Sequence, residues 1–273
     1  MSVKKEASGR RSVEIQFDVP GTPEEVWQAI ATGPGISSWL MPAEFEESDG
    51  KPVALKLSFG PGGEARSTVT AWDPPWMYAG QSEGLMPGSP PIAAEWHIEA
   101  KAGGTCVIRL VHSLFASTDE WDDQLGEIES GWSGFLRTLQ LYLKHFRGQR
   151  STLTKWMVPV AGTEAQAWAA LTGALDLRGL SVGQRWTAPA DAPQLSGIVE
   201  YASQGPNDIL VRLDQPGPAI AAFGSVDMGG PSMVGMNLYC YGDQSAAMAA
   251  RQAPLWQAWT QEHLPPPQQG PDA

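Results

Sequence analysis

Val13, Ile15, Phe17 and Val19 alternate with Glu14, Gln16 and Asp18, the period-two pattern of a half-buried strand. After Gly21 the period changes. Thr22 suits an N-cap, Pro23 suits the first helical position, and Glu25 stands three after Thr22 as a capping box requires. With Trp27 and Ile30 one turn apart, the spacing predicts a helix over 23–31. Gly33-Pro34-Gly35 is expected to break it, with a short helix around 36–40 beyond. Strands are then predicted at 53–59 (Val53, Leu55, Leu57 and Phe59 on one face), 66–72, 76–82, 94–100 and 105–113. Gly60-Pro61-Gly62-Gly63, Asp73-Pro74-Pro75 and Gly103-Gly104 supply turns, so these strands read as an antiparallel meander. A long helix closes this half, over about 119–146. Trp121, Leu125, Ile128, Trp132, Phe135, Leu139, Tyr142 and Phe146 step by four and three along it. At ~1.5 Å per residue that stripe is about 40 Å long and must lie across a curved sheet.

The second half repeats the opening. Val160-Ala161-Gly162-Thr163 precedes a helical run carrying Trp168 and Leu171, as Val19-Pro20-Gly21-Thr22 precedes Trp27 and Ile30. A repeat near half the chain implies a duplicated domain, since solenoid units are shorter. A strand over 153–160, a helix over 164–171, strands at 184–188, 195–203, 209–213, 219–227 and 233–241, and a last helix over 244–263 follow. Pro254 should kink or divide that last helix, with Trp256 and Trp259 inward. The expected organisation is a flexible tail over 1–11, a domain over 12–149, a second domain over 150–264, and a disordered Pro-rich tail over 265–273.

Composition narrows the function. Of 273 residues, 18 are Lys or Arg and 30 are Asp or Glu, a net charge of −12 that leaves no cationic stripe for a nucleic-acid backbone and disfavours anionic membrane surfaces. No apolar run approaches the ~20 residues of a membrane span, so no membrane insertion is expected. The N-terminal basic residues have no apolar stretch behind them, so no signal peptide is read there. Two distant cysteines, Cys106 and Cys240, exclude a disulfide framework and point to a cytoplasmic, reducing setting. Twelve tryptophans suit a large core or an apolar cavity.

Phe17-Asp18-Val19, Thr22-Pro23-Glu24-Glu25-Val26-Trp27, Trp39, Val69, Asp73-Pro74-Pro75, Gly104-Thr105, Leu110-Val111-His112-Ser113 and Gly131-Trp132 with Leu136, Leu139 and Leu143 occur in an order and spacing that resembles the activator of Hsp90 ATPase homologue 1-like domains. Those domains are part of the START-like (SRPBCC, helix-grip) superfamily. The second half is similar to a degenerate copy, lacking the Gly-Trp pair and the His-Ser strand end. The resemblance implies an α+β fold of two tandem helix-grip domains, each an antiparallel sheet wrapped around its C-terminal helix. It also implies an apolar cavity that can hold lipids, sterols or polyketides. Fold alone does not fix the function.

Alternation places Leu57, Phe59, Val69, Ala71, Tyr78, Gly80, Trp96, Ile98, Ile108, Leu110 and His112 on one sheet face, with Ser82 at its edge and Ile128, Trp132, Phe135 and Leu136 facing them from the helix. Gly80 and Ser82 are small where a void could open; the alternative is a solid core filled by tryptophan. His112 could orient a ligand oxygen or act as acid or base, or could be a strand-end histidine bonded to backbone. Acidic residues Glu44, Glu46, Glu47, Glu83 and Asp119 read as a solvated rim, and 85–91 as a gate. Gly80-Gln81-Ser82-Glu83-Gly84 fits a nucleophile elbow in letters only, because no helix can follow it. No histidine pair or CxxC has metal-ligand spacing, so neither metal nor cofactor is expected. Three functions compete: binding of a small hydrophobic molecule, a polyketide cyclase or aromatase activity in the same cavity, and a protein-interaction or Hsp90 co-chaperone role. The second domain reads either as a structural lid or as a dimerisation surface, and a homodimer is a further expectation.

Overall fold

The computed structural model describes residues 3–264 except 61–62, 84–89, 117–118, 120, 204–207 and 228–230, and leaves out the side chains of 124 and 127–130. The Pro-rich tail over 265–273 and most of the loop read as a gate lie outside the described residues. The chain divides into two compact units, Met1–Arg150 and Ser151–Ala273.

The first unit opens with β1 (Lys4–Lys5) paired antiparallel to β2 (Arg10–Pro20). Residues 4–5 and 10–11, expected within a flexible tail, are therefore in the sheet, and Arg11 is buried. Its guanidinium ion-pairs with Asp119 and Asp122, which is what ties this polar segment down.

Helix α1 (Pro23–Ile30) starts as its sequence dictates. Thr22 Oγ1 accepts from the Glu25 N–H at 3.4 Å and Glu25 Oε2 accepts from the Thr22 N–H at 2.8 Å. The same carboxylate takes a 2.5 Å contact from Arg147, and that pairing first, then the Thr22 N–H, holds it below its ordinary pKa. Thr22→Ala is expected to cost the first unit about 1 kcal/mol, read as an earlier urea transition.

Gly33-Pro34-Gly35 does not merely break α1; it builds α2 (Gly33–Ser37). Thr32 caps it by accepting from the Gly35 N–H at 3.0 Å, and Pro34 occupies an early position where no N–H is needed. Gly35 is required by proximity: a Cβ there would lie 1.9 Å from the Gln28 carbonyl oxygen of α1. Trp39 then donates its indole N–H to Ala29 O at 2.9 Å, folding the turn back onto α1.

Strands β3 (Ala43–Ser48), β4 (Lys51–Gly60), β5 (Gly63–Asp73), β6 (Met77–Ser82), β7 (Ile92–Lys101) and β8 (Thr105–Phe115) form a meander, followed by α3 (Asp122–His145). The antiparallel sheet runs β1-β2-β8-β7-β6-β5-β4-β3. It curls enough to bring the ring of Phe45 on β3 within 6.2 Å of Tyr78 on β6. α3 packs mainly along β2 and also touches β8.

The second unit follows the same plan: β9 (Ser151–Pro159), α4 (Glu164–Ala174), β10 (Arg185–Thr187), β11 (Ser196–Ala202), β12 (Asp208–Gln215), β13 (Ala219–Val226), β14 (Met233–Tyr241) and α5 (Ser245–His263). Its sheet is ordered β10-β11-β12-β13-β14-β9, so β9 lies beside β14 as β2 lies beside β8. Thr163 and Gln166 repeat the capping box of Thr22 and Glu25. Pro254 does not divide α5: it sits on the exposed side of the helix, as does Ala250 one turn before it. The two units are tandem helix-grip folds of the α+β class.

Candidate functional site

The register assembles the inner face of the first sheet in rows. Val13 on β2 pairs His112, His112 pairs Ala94, Ala94 pairs Gly80, and Gly80 pairs Val69. The next row runs Ile15, Leu110, Trp96, Tyr78 and Trp72; a third carries Phe17, Ile108 and Ile98. Tyr78, Trp96, Ile98, Ile108, Leu110 and His112 are buried together on this face.

α3 supplies Trp132 and Phe135, both half-buried, and fully buried Leu136. Ile128 lies in α3 with its side chain outside the described residues.

Three sequence expectations change. A bulge between Val69 and Ala71 inserts Thr70 and reverses the alternation, so Trp72, not Ala71, joins Tyr78 on the inner face. Phe59 is not among the buried residues of this face: it lies one residue from the end of β4 and is 45% exposed. Gly80 does not open a void, since a Cβ there would meet Ser67 Oγ at 3.2 Å; the glycine lets β5 approach β6. Ser82 donates to Ile92 O at 3.3 Å within an antiparallel ladder, which is not a nucleophile elbow.

Aromatic rings line the face as a ladder. Tyr78 stacks on Trp96 with centroids 6.1 Å apart, and Trp96 meets Trp132 edge-on at 5.3 Å. Trp72 touches Tyr78 at 5.6 Å, Phe45 at 5.3 Å and Trp27 at 4.9 Å. Trp27, Phe45 and Trp72 were not foreseen as site residues. Trp27 was legible on its helix, but Phe45 sits in an acid-rich strand and Trp72 is turned inward by the bulge. The acidic residues of that strand face outward, with Glu46 held by Lys56 and Arg66.

At one end of the ladder His112 stacks on Trp132, centroids 5.6 Å apart. The expected alternative of a backbone-bonded histidine does not hold for Nδ1, which is buried with no hydrogen-bond partner among the described residues. Burial pushes His112 down from 6.5 to about 4, so its imidazole is neutral at pH 7. Burial likewise keeps the Tyr78 phenol protonated. His97 sits outward beside Glu95, and His145 and His263 lie in last helical turns.

Coverage of the face is uneven. Near α3 the side chains are buried, whereas the inward Val53, Leu55, Leu57, Val69 and Trp72 of β4 and β5 stay half-buried. The arrangement offers an apolar floor, an aromatic wall, and one neutral imidazole. The second unit carries no histidine on β14, and its buried polar atoms without a partner among the described residues are Gln252 Oε1 and the indole nitrogens of Trp156, Trp256 and Trp259. Thr154 on β9 pairs Leu238 on β14, as Val13 on β2 pairs His112 on β8, and Trp156 stacks on Trp256 with centroids 5.6 Å apart.

The chain is similar to several solved structures. One is the di-domain ARO/CYC BexL from the BE-7585A biosynthetic pathway, at 12% identity over 93% of this chain and 99% of that one, TM-score 0.47. Another is CalU16 from Micromonospora echinospora, at 20% identity over 53% and 83%, TM-score 0.41. A third is the Aha1 dimer from Colwellia psychrerythraea, at 22% identity over 50% and 98%, TM-score 0.39. No curated protein matches the sequence. Residues 10–141, spanning β2 through most of α3, match the family described as polyketide cyclase / dehydrase and lipid transport.

Proposed function

We propose that the first unit binds a small hydrophobic molecule on the concave face of its sheet, against α3, with His112 as the polar contact. The observation that carries this reading is the Nδ1 of His112, buried at the end of an aromatic ladder and without a partner among the described residues. A buried polar atom left unpaired costs about 1–3 kcal/mol, and a ligand hydroxyl or carbonyl would recover that cost. The family matched over residues 10–141 supports a ligand of this class. The ligand is assigned to the first unit because the family match covers residues 10–141 and Leu238 stands in the second unit where His112 stands in the first.

A cyclase acting on the same bound molecule is the second reading. It would need His112 to take up a proton, and a group held near 4 is a weak base at neutral pH. That favours binding over turnover.

The test uses two probes on the full chain: 2-naphthol and naphthalene, followed by fluorescence. His112→Ala is expected to weaken 2-naphthol by roughly two- to tenfold, the net worth of one hydrogen bond, and to leave naphthalene unchanged. Equal loss for both probes, or binding of neither to the unaltered protein, removes the reading. Native mass spectrometry of protein from its own host would then identify the natural occupant.

A further inference from the structure

We propose that the N-terminal part of α3 is a gate over this site, latched shut by Lys5 and Arg11 of the β1–β2 hairpin; the proposal rests on the ligand reading of the first unit. Lys5 and Arg11 are cross-strand neighbours. Both cations reach the same two carboxylates. Arg11 Nη1 lies 2.6 Å from Asp122 and Arg11 Nη2 contacts Asp119, while Lys5 Nζ lies 2.9 Å from Asp122 and 3.1 Å from Asp119. Side-chain exposure is 8% for Arg11 and 19% for Asp122, so this pair is largely shielded from screening by salt. Arg11 Nε also donates to Ala116 O at 3.4 Å, just before α3. Without the carboxylates two like charges would face each other across the hairpin, one of them buried. The closed position of the first turn of α3 and the formation of the hairpin therefore depend on each other.

The helix beyond that latch is weak. Trp121 at its N-cap offers no side-chain hydrogen bond. Gly126 and Gly131 stand inside it, and a Cβ built on either meets nothing within 4 Å among the described residues. Neither has a positive φ. Packing and backbone geometry thus do not require glycine at these positions, while glycine lowers helix propensity. The other end is strong: Leu136, Leu139, Leu141, Tyr142 and Leu143 are buried, and Arg147 ties the following turn to α1. Gly131 directly precedes Trp132, the residue that stacks on His112. A hinge there frees residues 122–131, and with them the contact of Leu125 with Val13 and Leu114, while the rest of the helix stays seated.

Hydrogen exchange of the full chain tests this, with stopped-flow uptake of 2-naphthol alongside. Gly126→Ala with Gly131→Ala should slow exchange of residues 122–131 about fivefold per site, the glycine-to-alanine difference in helix propensity. Asp122→Asn should speed it at least tenfold. Residues 136–145 should be unchanged in both variants, and naphthol uptake should slow and quicken in step. The two halves of α3 exchanging together, or the alanine pair leaving 122–131 unaltered, overturns the gate. If the halves separate as expected but naphthol does not bind, the hinge stands and the ligand reading falls.

Discussion

Between pH 6.5 and about 4 the first unit is expected to lose on the order of 3 kcal/mol of stability, and replacement of His112 by leucine removes that loss. In the unfolded chain His112 takes up a proton near its ordinary value of 6.5; in the folded unit burial defers protonation to about 4. Across that window the unfolded state binds the extra proton, so stability falls as pH falls. The loss levels off below about 4, where both states are protonated. At about 1.4 kcal/mol per pKa unit, the interval gives the stated size. The carboxylates held low by cationic partners, Glu25, Glu46, Asp119 and Asp122, also lose their contribution on acidification. Their ordinary values are 4.5 and 3.8, so that loss falls at the bottom of the window and below it, and above 4.5 the difference between the unaltered protein and His112→Leu reports His112. Urea unfolding at pH 7.0 and 4.8 on both proteins should capture about 2 kcal/mol of it, the part of the window above 4.8. An equal drop in His112→Leu would assign the acid sensitivity elsewhere and remove the argument that this imidazole is held neutral.

What the sequence disclosed, and what it hid, follow from the range of the interactions involved. Helix α1 is written within four residues, Thr22 to Glu25, because a capping box closes locally. The stripe of α3 is legible because one face is buried along much of its length. The inner row through Tyr78, Trp96 and Leu110 follows from alternation alone, since β6, β7 and β8 pair without a shift. Trp72 could not be read inward, because the bulge at Thr70 depends on how β5 meets β6. β3 was missed because its glutamates dominate the local pattern, and only the curl of the sheet brings Phe45 to Trp72. The N-terminal segment looked like a tail since its order comes from Asp119 and Asp122, over a hundred residues away. Gly80 shows the same limit: its smallness answers to Ser67 on the neighbouring strand, not to the helix it faces.

Trp96→Ala is expected to destabilise the first unit by about 3–5 kcal/mol, the range for deleting a buried indole. Trp96 is 5% exposed and occupies the middle of the ladder, stacked on Tyr78 and edge-on to both Trp39 and Trp132. Its neighbours cannot collapse into the gap. Trp39 is fixed by its hydrogen bond to Ala29 O, Tyr78 is held by strand pairing on both sides, and Trp132 is braced by His112. The cost should therefore sit at the upper end of the range. Phe59→Ala, at the open end of β4, should cost less than about 0.5 kcal/mol under the same urea titration. A comparable loss for the two would mean that Trp96 is not part of a packed wall. Trp96→Phe separates volume from edge geometry. It keeps an aromatic face for Tyr78 but removes part of the ring area that meets Trp132, so it should recover most of the stability. If Trp132 needs Trp96 behind it to stay stacked on His112, Trp96→Phe should still weaken 2-naphthol binding in the full chain, in the same sense as His112→Ala. A variant that is stable yet binds 2-naphthol normally would show that Trp132 holds its position without Trp96.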